Sequence, residues 1–144
     1  MNIKECFEKR LLRKSRPDRL KCDKAFDVSK KNLLRAERLE KHGFYSEAII
    51  ASYTAMFQSA RALLFRDGVF ERSHYCVIEY LKEHYVKKHL LSQEYLHSID
   101  VYRILRHEAL YGLEEISYEK DEVGDAIEKT KKFIRAVSRI IDVK

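Results

Sequence analysis

The chain has 144 residues with a formal net charge of +6, and it contains only four glycines, one proline and no tryptophan. This length suits one domain with a sizeable core and is too short for two. So few glycines and prolines, without any alternating strand-like run, predict an all-α protein and no sheet. The positive charge favours an acidic partner over a basic one.

The three cysteines, Cys6, Cys22 and Cys76, are widely spaced and form no Cys-x-x-Cys pair. This pattern favours neither a disulfide framework nor a zinc site and indicates a reducing compartment. The charged N-terminus lacks the apolar core of a signal peptide, and no apolar run approaches membrane-spanning length. We therefore expect a cytoplasmic protein without membrane contact.

A first short helix is predicted from Asn2 to Lys14, because Ile3, Phe7 and Leu11 recur every four residues. Pro17 interrupts this pattern. Basic residues dominate the stretch between Lys9 and Lys24, which forms an exposed joint between the first two helices: Lys9, Arg10, Arg13, Lys14, Arg16, Arg19, Lys21 and Lys24. The joint is either a solvated linker or a surface for phosphates or an acidic protein. We assign residues 1–22 to an N-terminal helical extension and residues 23–144 to the bundle.

A second helix is predicted from Asp23 to His42, and a third from Ser46 to Asp67, with Gly68 as a left-handed cap. The third helix carries small side chains along one flank: Ala48, Ala51, Ser52, Ala55, Ser59 and Ala62. Small residues at this spacing let another helix approach closely. The third helix should therefore be central, and part of it is either core or a subunit interface.

Serines mark the starts of the remaining helices. Ser73 caps a fourth helix through Lys88, Ser92 caps a fifth through Tyr111, and Ser117 starts a last one that runs to the end of the chain. Short connections favour antiparallel neighbours. The fold class is thus an antiparallel up-and-down bundle of four to five main helices with a short N-terminal helical extension.

Arg106 stands in the middle of an apolar stripe on the fifth helix. At 100° per residue the stripe contains Tyr95, Ile99, Tyr102, Ala109, Leu110 and Leu113. A permanent charge in this position needs partners or a polar cleft. Arg103, His107 and Tyr111 succeed one another at four-residue spacing along the border of the stripe. Arg106 therefore either pairs with an acid on a neighbouring helix or forms an anion or phosphate site.

Most standard enzyme motifs are absent from the sequence. There is no Gly-rich phosphate loop, His-Glu-x-x-His pair or nucleophile elbow. None of the six histidines pairs with another at the spacing that places two ligands on one helical face. We expect neither a metal site nor a cofactor.

Four segments carry a resemblance to a known family: Gly43-Phe44-Tyr45-Ser46-Glu47-Ala48, the stretch from Ser52 to Leu64, Ser73-His74, and Arg106-His107-Glu108-Ala109-Leu110-Tyr111-Gly112. With them the chain resembles a HEPN domain (higher eukaryotes and prokaryotes nucleotide-binding) of the short stand-alone prokaryotic type. The resemblance implies a helical bundle that dimerises and joins two arginine motifs in a shared cleft. Many HEPN proteins are metal-independent ribonucleases, often toxins paired with a small nucleotidyltransferase antitoxin, and others bind nucleotides or act as non-catalytic partners.

The ribonuclease motif of the family is an arginine, a polar residue, three variable positions and a histidine. Arg106 and His107 match its first two positions, whereas Tyr111 replaces the closing histidine. In the family's scheme that histidine helps a ribose 2′-hydroxyl attack the adjacent phosphate while the arginine steadies the developing charge. Phenols ionise far above neutral pH and are poor bases there. The resemblance thus assigns Arg106, His107 and Tyr111 as the catalytic candidates and leaves enzymatic activity open.

Three functions follow from these observations. The first is an RNA- or nucleotide-binding homodimer in a toxin–antitoxin-type pair with a small nucleotidyltransferase, with catalysis weak or lost. The second is an active metal-independent endoribonuclease, and the third is a non-catalytic structural or scaffolding bundle. The expected anion-binding residues are Arg103, Arg106, Arg10, Arg13, Lys14, Arg16 and Arg19.

Overall fold

The computed structural model describes residues 1–114 and 117–142. They form six α-helices: α1 (Ile3–Glu8), α2 (Arg19–Lys41), α3 (Tyr45–Asp67), α4 (His74–Leu81), α5 (Gln93–Tyr111) and α6 (Lys120–Ile141). Two short strands, β1 (Leu12–Lys14) and β2 (Val69–Glu71), complete the fold. The predicted all-α helical bundle is confirmed, with a small sheet added to it.

Helix α3 is the centre of the bundle and packs against α2, α5 and α6. It follows α2 after a turn at Gly43, whose φ of 80° lies in the left-handed region. The small residues predicted to line one flank of α3 are all buried. Their size lets α2 and α3 lie close together along their length, so the prediction of a central helix is confirmed.

Local signals located most helix ends correctly, but the predicted start of the second helix at Asp23 is wrong, because Asp18 caps α2 and the helix begins at Arg19. Ser73 accepts a hydrogen bond from the Cys76 backbone N–H, Ser92 accepts one from that of Glu94, and Gly68 ends α3 in the left-handed region. Helix α4 continues through a π-helical turn at Lys82–Val86.

The predicted start of the last helix at Ser117 is wrong. Helix α6 begins at Lys120, because Glu119 and Glu122 form a capping box there. The end of the chain to which that helix was predicted to run, residues 143–144, lies outside the described residues.

The N-terminal segment departs from its prediction. Helix α1 ends at Glu8, Arg10 turns the chain in the left-handed region at φ 57°, and β1 then pairs antiparallel with β2. Leu12 lies opposite Glu71 in this pairing and is buried. The predictions of one helix to Lys14 and of no sheet are therefore wrong, because the strand partner comes after α3 and leaves no trace in local periodicity.

A disulfide joins Cys6 on α1 to Cys76 on α4, with their Cα atoms 5.8 Å apart. The expectation that the cysteines form no disulfide is wrong, since a sequence separation of 70 residues hides the pairing. The argument for a reducing compartment is thereby lost, and the cytoplasmic location stays a prediction. Within residues 1–114 and 117–142, no helix is both long enough and apolar enough to cross a bilayer.

Candidate functional site

Helix α5 carries the arginine motif and packs on α3. Its first half is held in the core by Ile99 and Tyr102, which are 2% and 5% exposed. Leu110 and Leu113, by contrast, are exposed, which corrects the predicted apolar stripe. The last turn of α5 therefore leaves the core, and the arginine motif lies where the buried half of the helix becomes exposed.

Arg106 is half-buried and lies against an aromatic ring. Its guanidinium carbon is 5.5 Å from the centroid of the Tyr53 ring on α3, within the range of a cation–π contact. Among the described residues no carboxylate lies within 4.0 Å of its nitrogens, whereas Arg61 pairs with Glu71 and Arg103 with Asp100. The charge of Arg106 is thus held by an aromatic face and not by an acid, which argues against the predicted internal ion pair.

An open pocket of about 430 Å³ lies beside Arg106. Its lining consists of His74, Arg103, Ile104, Arg106, His107 and Glu108. Arg103 directs two guanidinium nitrogens at one oxygen of Asp100, at 3.1 and 2.9 Å. The structure thus brings together three of the predicted site residues, Arg103, Arg106 and His107, in one positively charged concavity.

His74 enters this pocket from the first turn of α4. Its Nδ1 lies 2.6 Å from the hydroxyl of Tyr53, and its ring stacks on Phe57 with the centroids 3.9 Å apart. Ser73 fixes this turn by capping α4. The imidazole is therefore held by a hydrogen bond on its edge and by an aromatic ring on its face.

Burial and the nearby arginines set the ionisation of this pair. Burial lowers the pKa of His74, and the positive charges of Arg106, Arg103 and Arg61 lower it further, so the ring is neutral at pH 7. Burial raises the pKa of Tyr53 to about 12, so its phenol stays protonated. Both members of the pair are uncharged beside the cationic Arg103 and Arg106.

Tyr111 lies outside the pocket. It is 65% exposed, and its ring centroid is 5.1 Å from that of His107. Of the predicted polar strip, Arg103 and His107 line the pocket, with Arg103 bound to Asp100, whereas Tyr111 lies outside it against the ring of His107. Tyr111 occupies the closing position of the family motif, but it does not line the pocket.

The basic N-terminal joint forms a second, separate surface. Arg10, Arg13 and Lys14 line an open pocket of about 510 Å³ between α1 and the sheet, with Phe7 and Phe70 nearby. Arg16 is exposed and lines neither pocket. Arg19 instead bonds Asp23 and donates to the Ile141 carbonyl at 3.0 Å. The structure does not bring these residues together with Arg106.

Tyr53 and His74 are the site residues that sequence reasoning missed. Both stand in segments that carry the family resemblance, but nothing local connects a tyrosine inside α3 with a histidine 21 residues later. One feature of the sequence could have pointed to this pair: a tyrosine among the small residues of a buried helix needs a hydrogen-bond partner for its hydroxyl.

A family model for the HEPN domain matches residues 24–140, which is most of the chain. No curated protein matches the chain. The match includes α3, the first turn of α4 and the whole of α5, and so contains every residue of the Arg106 pocket. The chain belongs to the HEPN family of nucleotide-binding and ribonuclease-type domains.

Proposed function

We propose that the protein binds RNA or a nucleotide through a phosphate group in the Arg106 pocket. It does so as a homodimer beside a small nucleotidyltransferase antitoxin, with catalysis weak or lost. The observation that carries this proposal is the state of Arg106, a half-buried cation that has no acidic partner within the described residues. A phosphate oxygen supplies the missing negative charge and accepts from the guanidinium fork.

The composition of the pocket supports a phosphate ligand over an apolar one. Arg103 and Arg106 enter from α5, one helical turn apart, and His74 and His107 add ring nitrogens to the same lining. Glu108 is the single acid of that lining. A compact anion therefore meets more donors than acceptors in this concavity.

Weak or lost catalysis is inferred from the closing position of the motif. Tyr111 occupies it, is mostly exposed, and contacts His107 and not the pocket. A side chain outside the pocket is not placed to take a proton from a ribose hydroxyl held beside Arg106. Binding therefore needs fewer assumptions than strand cleavage.

The homodimer is proposed from the exposed apolar side chains of α5. Val101 and Ile104 are 37% and 51% exposed on adjoining parts of the α5 surface, and Ile104 also lines the pocket. A second copy covering them would remove apolar surface from water and bring a second Arg106 to the first. Ile104→Glu should shift the protein from dimer to monomer in sedimentation, whereas Leu20→Glu, an exposed change on α2, should not.

The nucleotidyltransferase partner is proposed from family membership alone. Co-purification with a small nucleotidyltransferase encoded beside this chain, and its loss when the two are expressed separately, would test that part.

Binding is tested by titrating labelled RNA and labelled nucleotides into wild-type protein and into Arg106→Ala. Loss of a charge-assisted bidentate contact should weaken binding at least about tenfold. Arg38→Ala is the matched control, because Arg38 is an exposed arginine of α2 that lines a different pocket. No affinity for either ligand, or equal affinity in both variants, would contradict the proposal. A folded Arg106→Ala that loses binding would exclude a purely scaffolding role.

A metal-independent endoribonuclease is the second candidate, favoured by the two imidazoles that share the pocket with Arg106. It predicts cleavage of a mixed RNA pool in excess chelator by the wild type and none by Arg106→Ala. Intact RNA with both proteins would rule it out.

The basic joint is proposed as an additional backbone contact. Arg10, Arg13 and Lys14 face one exposed concavity, where phosphates of a longer strand can replace counterions. Arg13→Ala should lower the slope of log affinity against log salt by about one for a long RNA. It should leave a mononucleotide unaffected.

A further inference from the structure

The pair formed by Tyr53 and His74 has no part in the family motif, although it lies beside the motif's arginine. The guanidinium carbon of Arg106 lies 5.5 Å from the centroid of the Tyr53 ring, and the Tyr53 hydroxyl is hydrogen-bonded to Nδ1 of His74 at 2.6 Å. One tyrosine of α3 therefore positions both a cation from α5 and an imidazole from α4. This arrangement places His74 in the pocket independently of the arginine motif.

The hydrogen bond to Tyr53 suits both charge states of the imidazole. When the ring is neutral, the phenol can donate to Nδ1, which leaves the ring proton on Nε2. When the ring is protonated, Nδ1–H can donate to the phenolic oxygen instead. Within the described residues Nε2 has no hydrogen-bond partner from the protein. A ring held in this way can offer a donor to a ligand in either state.

The charges that face His74 come from three elements. Arg103, Arg106 and His107 stand on α5, Arg61 stands on α3, and the acids nearby are Asp100 and Glu108 on α5. Asp100 is bound to Arg103, and Arg61 is bound to Glu71 of β2. Burial and the positive charges of Arg106, Arg103 and Arg61 nevertheless oppose protonation of the His74 ring in the free pocket. An anion placed between the arginines and His74 would reverse that balance.

We propose that His74 is a third phosphate-binding group of this pocket and that it takes up a proton from solvent when an RNA phosphodiester binds beside Arg103 and Arg106. This inference rests on the proposed function. It assigns a specific ligand class, the internal phosphodiester of RNA, and a chemical event that accompanies binding. Tyr53 is a positioning residue in this scheme, because it holds the imidazole and the guanidinium without contacting the ligand.

Proton uptake makes binding depend on pH in a defined direction. Because the pKa of His74 is lowered in the free protein, binding should tighten as the pH falls from about 8 toward that pKa and then level off. One proton taken up limits the slope to about tenfold in Kd per pH unit. The opposite slope, or none, does not fit.

The experiment uses a labelled 2′-O-methyl RNA hexamer with hydroxyl termini. The ligand cannot be cleaved by attack of a 2′-hydroxyl, and its phosphodiesters do not titrate between about pH 5.5 and pH 8. Binding is measured across that range for the wild type, His74→Asn and His97→Asn. The asparagine amide at position 74 can still meet the Tyr53 hydroxyl but does not titrate. His97 is the matched control, an exposed histidine of α5 that does not line the pocket.

The inference predicts that Kd rises several-fold from low to high pH in the wild type and in His97→Asn, and is flat in His74→Asn. Ring-nitrogen NMR of the wild type should show the pKa of His74 rising by about one unit or more when the hexamer is added. This second measurement does not depend on the folding of any variant.

The outcomes separate the two proposals. Binding that needs Arg106 but is independent of pH, or that leaves the His74 nitrogens unchanged, would overturn the role of His74 and leave the proposed function standing. A protein that binds nucleotides through Arg106 but not the hexamer would overturn the assignment to RNA phosphodiesters alone. Failure to bind hexamer and nucleotides at every pH would overturn both.

Discussion

Replacing Arg106 by alanine should lower the stability of the fold only modestly, although the residue is half-buried against α3. The guanidinium loses its position 5.5 Å from the Tyr53 ring, a contact worth about 0.5–2 kcal/mol. Removing an ion-paired partner from a buried site would instead cost about 3–5 kcal/mol, because an unpaired charge would remain. Since Arg106 is half-buried and unpaired among the described residues, we expect a loss of about 1–2 kcal/mol.

The assay is urea unfolding followed by the helical circular dichroism signal. Wild type, Arg106→Ala, Tyr53→Leu and the double variant form a cycle that isolates the contact between the two side chains. We expect a coupling energy of about 0.5–1 kcal/mol from that cycle. Arg38→Ala, an exposed change on α2, should stay within about 0.5 kcal/mol of the wild type.

A loss of more than about 3 kcal/mol in Arg106→Ala would refute this reasoning, because it would require a buried acidic partner. Zero coupling to Tyr53 would show that the aromatic ring does not hold the cation. Either result would remove the main support for a phosphate ligand.

The remaining predictions concern the fold. Gly68→Ala should lower the free energy of unfolding by at least about 2 kcal/mol, because a Cβ there would lie 2.6 Å from the Ser15 carbonyl oxygen. Gly43→Ala should lower it by about 1 kcal/mol, because Gly43 has a similar φ but open space around it. Equal losses in thermal unfolding would contradict this difference. Reduction should lower the free energy of unfolding of the wild type by about 4 kcal/mol, but not that of a variant with serine in place of both Cys6 and Cys76; a wild type insensitive to reductant would count against the disulfide. The buried phenol of Tyr53, with its pKa raised to about 12, contributes stability below about pH 10 that is lost as the pH rises toward 12; Tyr53→Phe should flatten that alkaline loss, and an unchanged slope would contradict it.

Much of the fold could be predicted because its signals are local. Ser73, Ser92 and Gly68 determine helix ends through bonds to residues within a few positions of themselves. The small side chains of α3 likewise indicated a central helix, since close packing needs them whatever lies opposite. Helix count and order therefore followed from the sequence.

The remaining features depend on contacts between distant parts of the chain. The pairing of β1 with β2, the Cys6–Cys76 disulfide and the bond from Tyr53 to His74 each join residues that periodicity cannot connect. Periodicity also could not show that α5 leaves the core before Leu110. The arginine motif was found because its pattern is local, whereas the imidazole beside it comes from another helix.

The disulfide has a consequence for how this domain is produced and trimmed. Cys76 lies two residues after His74, so the bond anchors the N-terminus to the same helical turn that presents the imidazole. The family match begins at residue 24, after α1 and β1. A chain shortened to that boundary would lose Cys6, leave the β2 edge without its partner and release the turn beneath His74. The first 14 residues thus hold the helical turn that carries His74 in place, and we expect a fragment without them to bind the proposed ligand more weakly than the full chain.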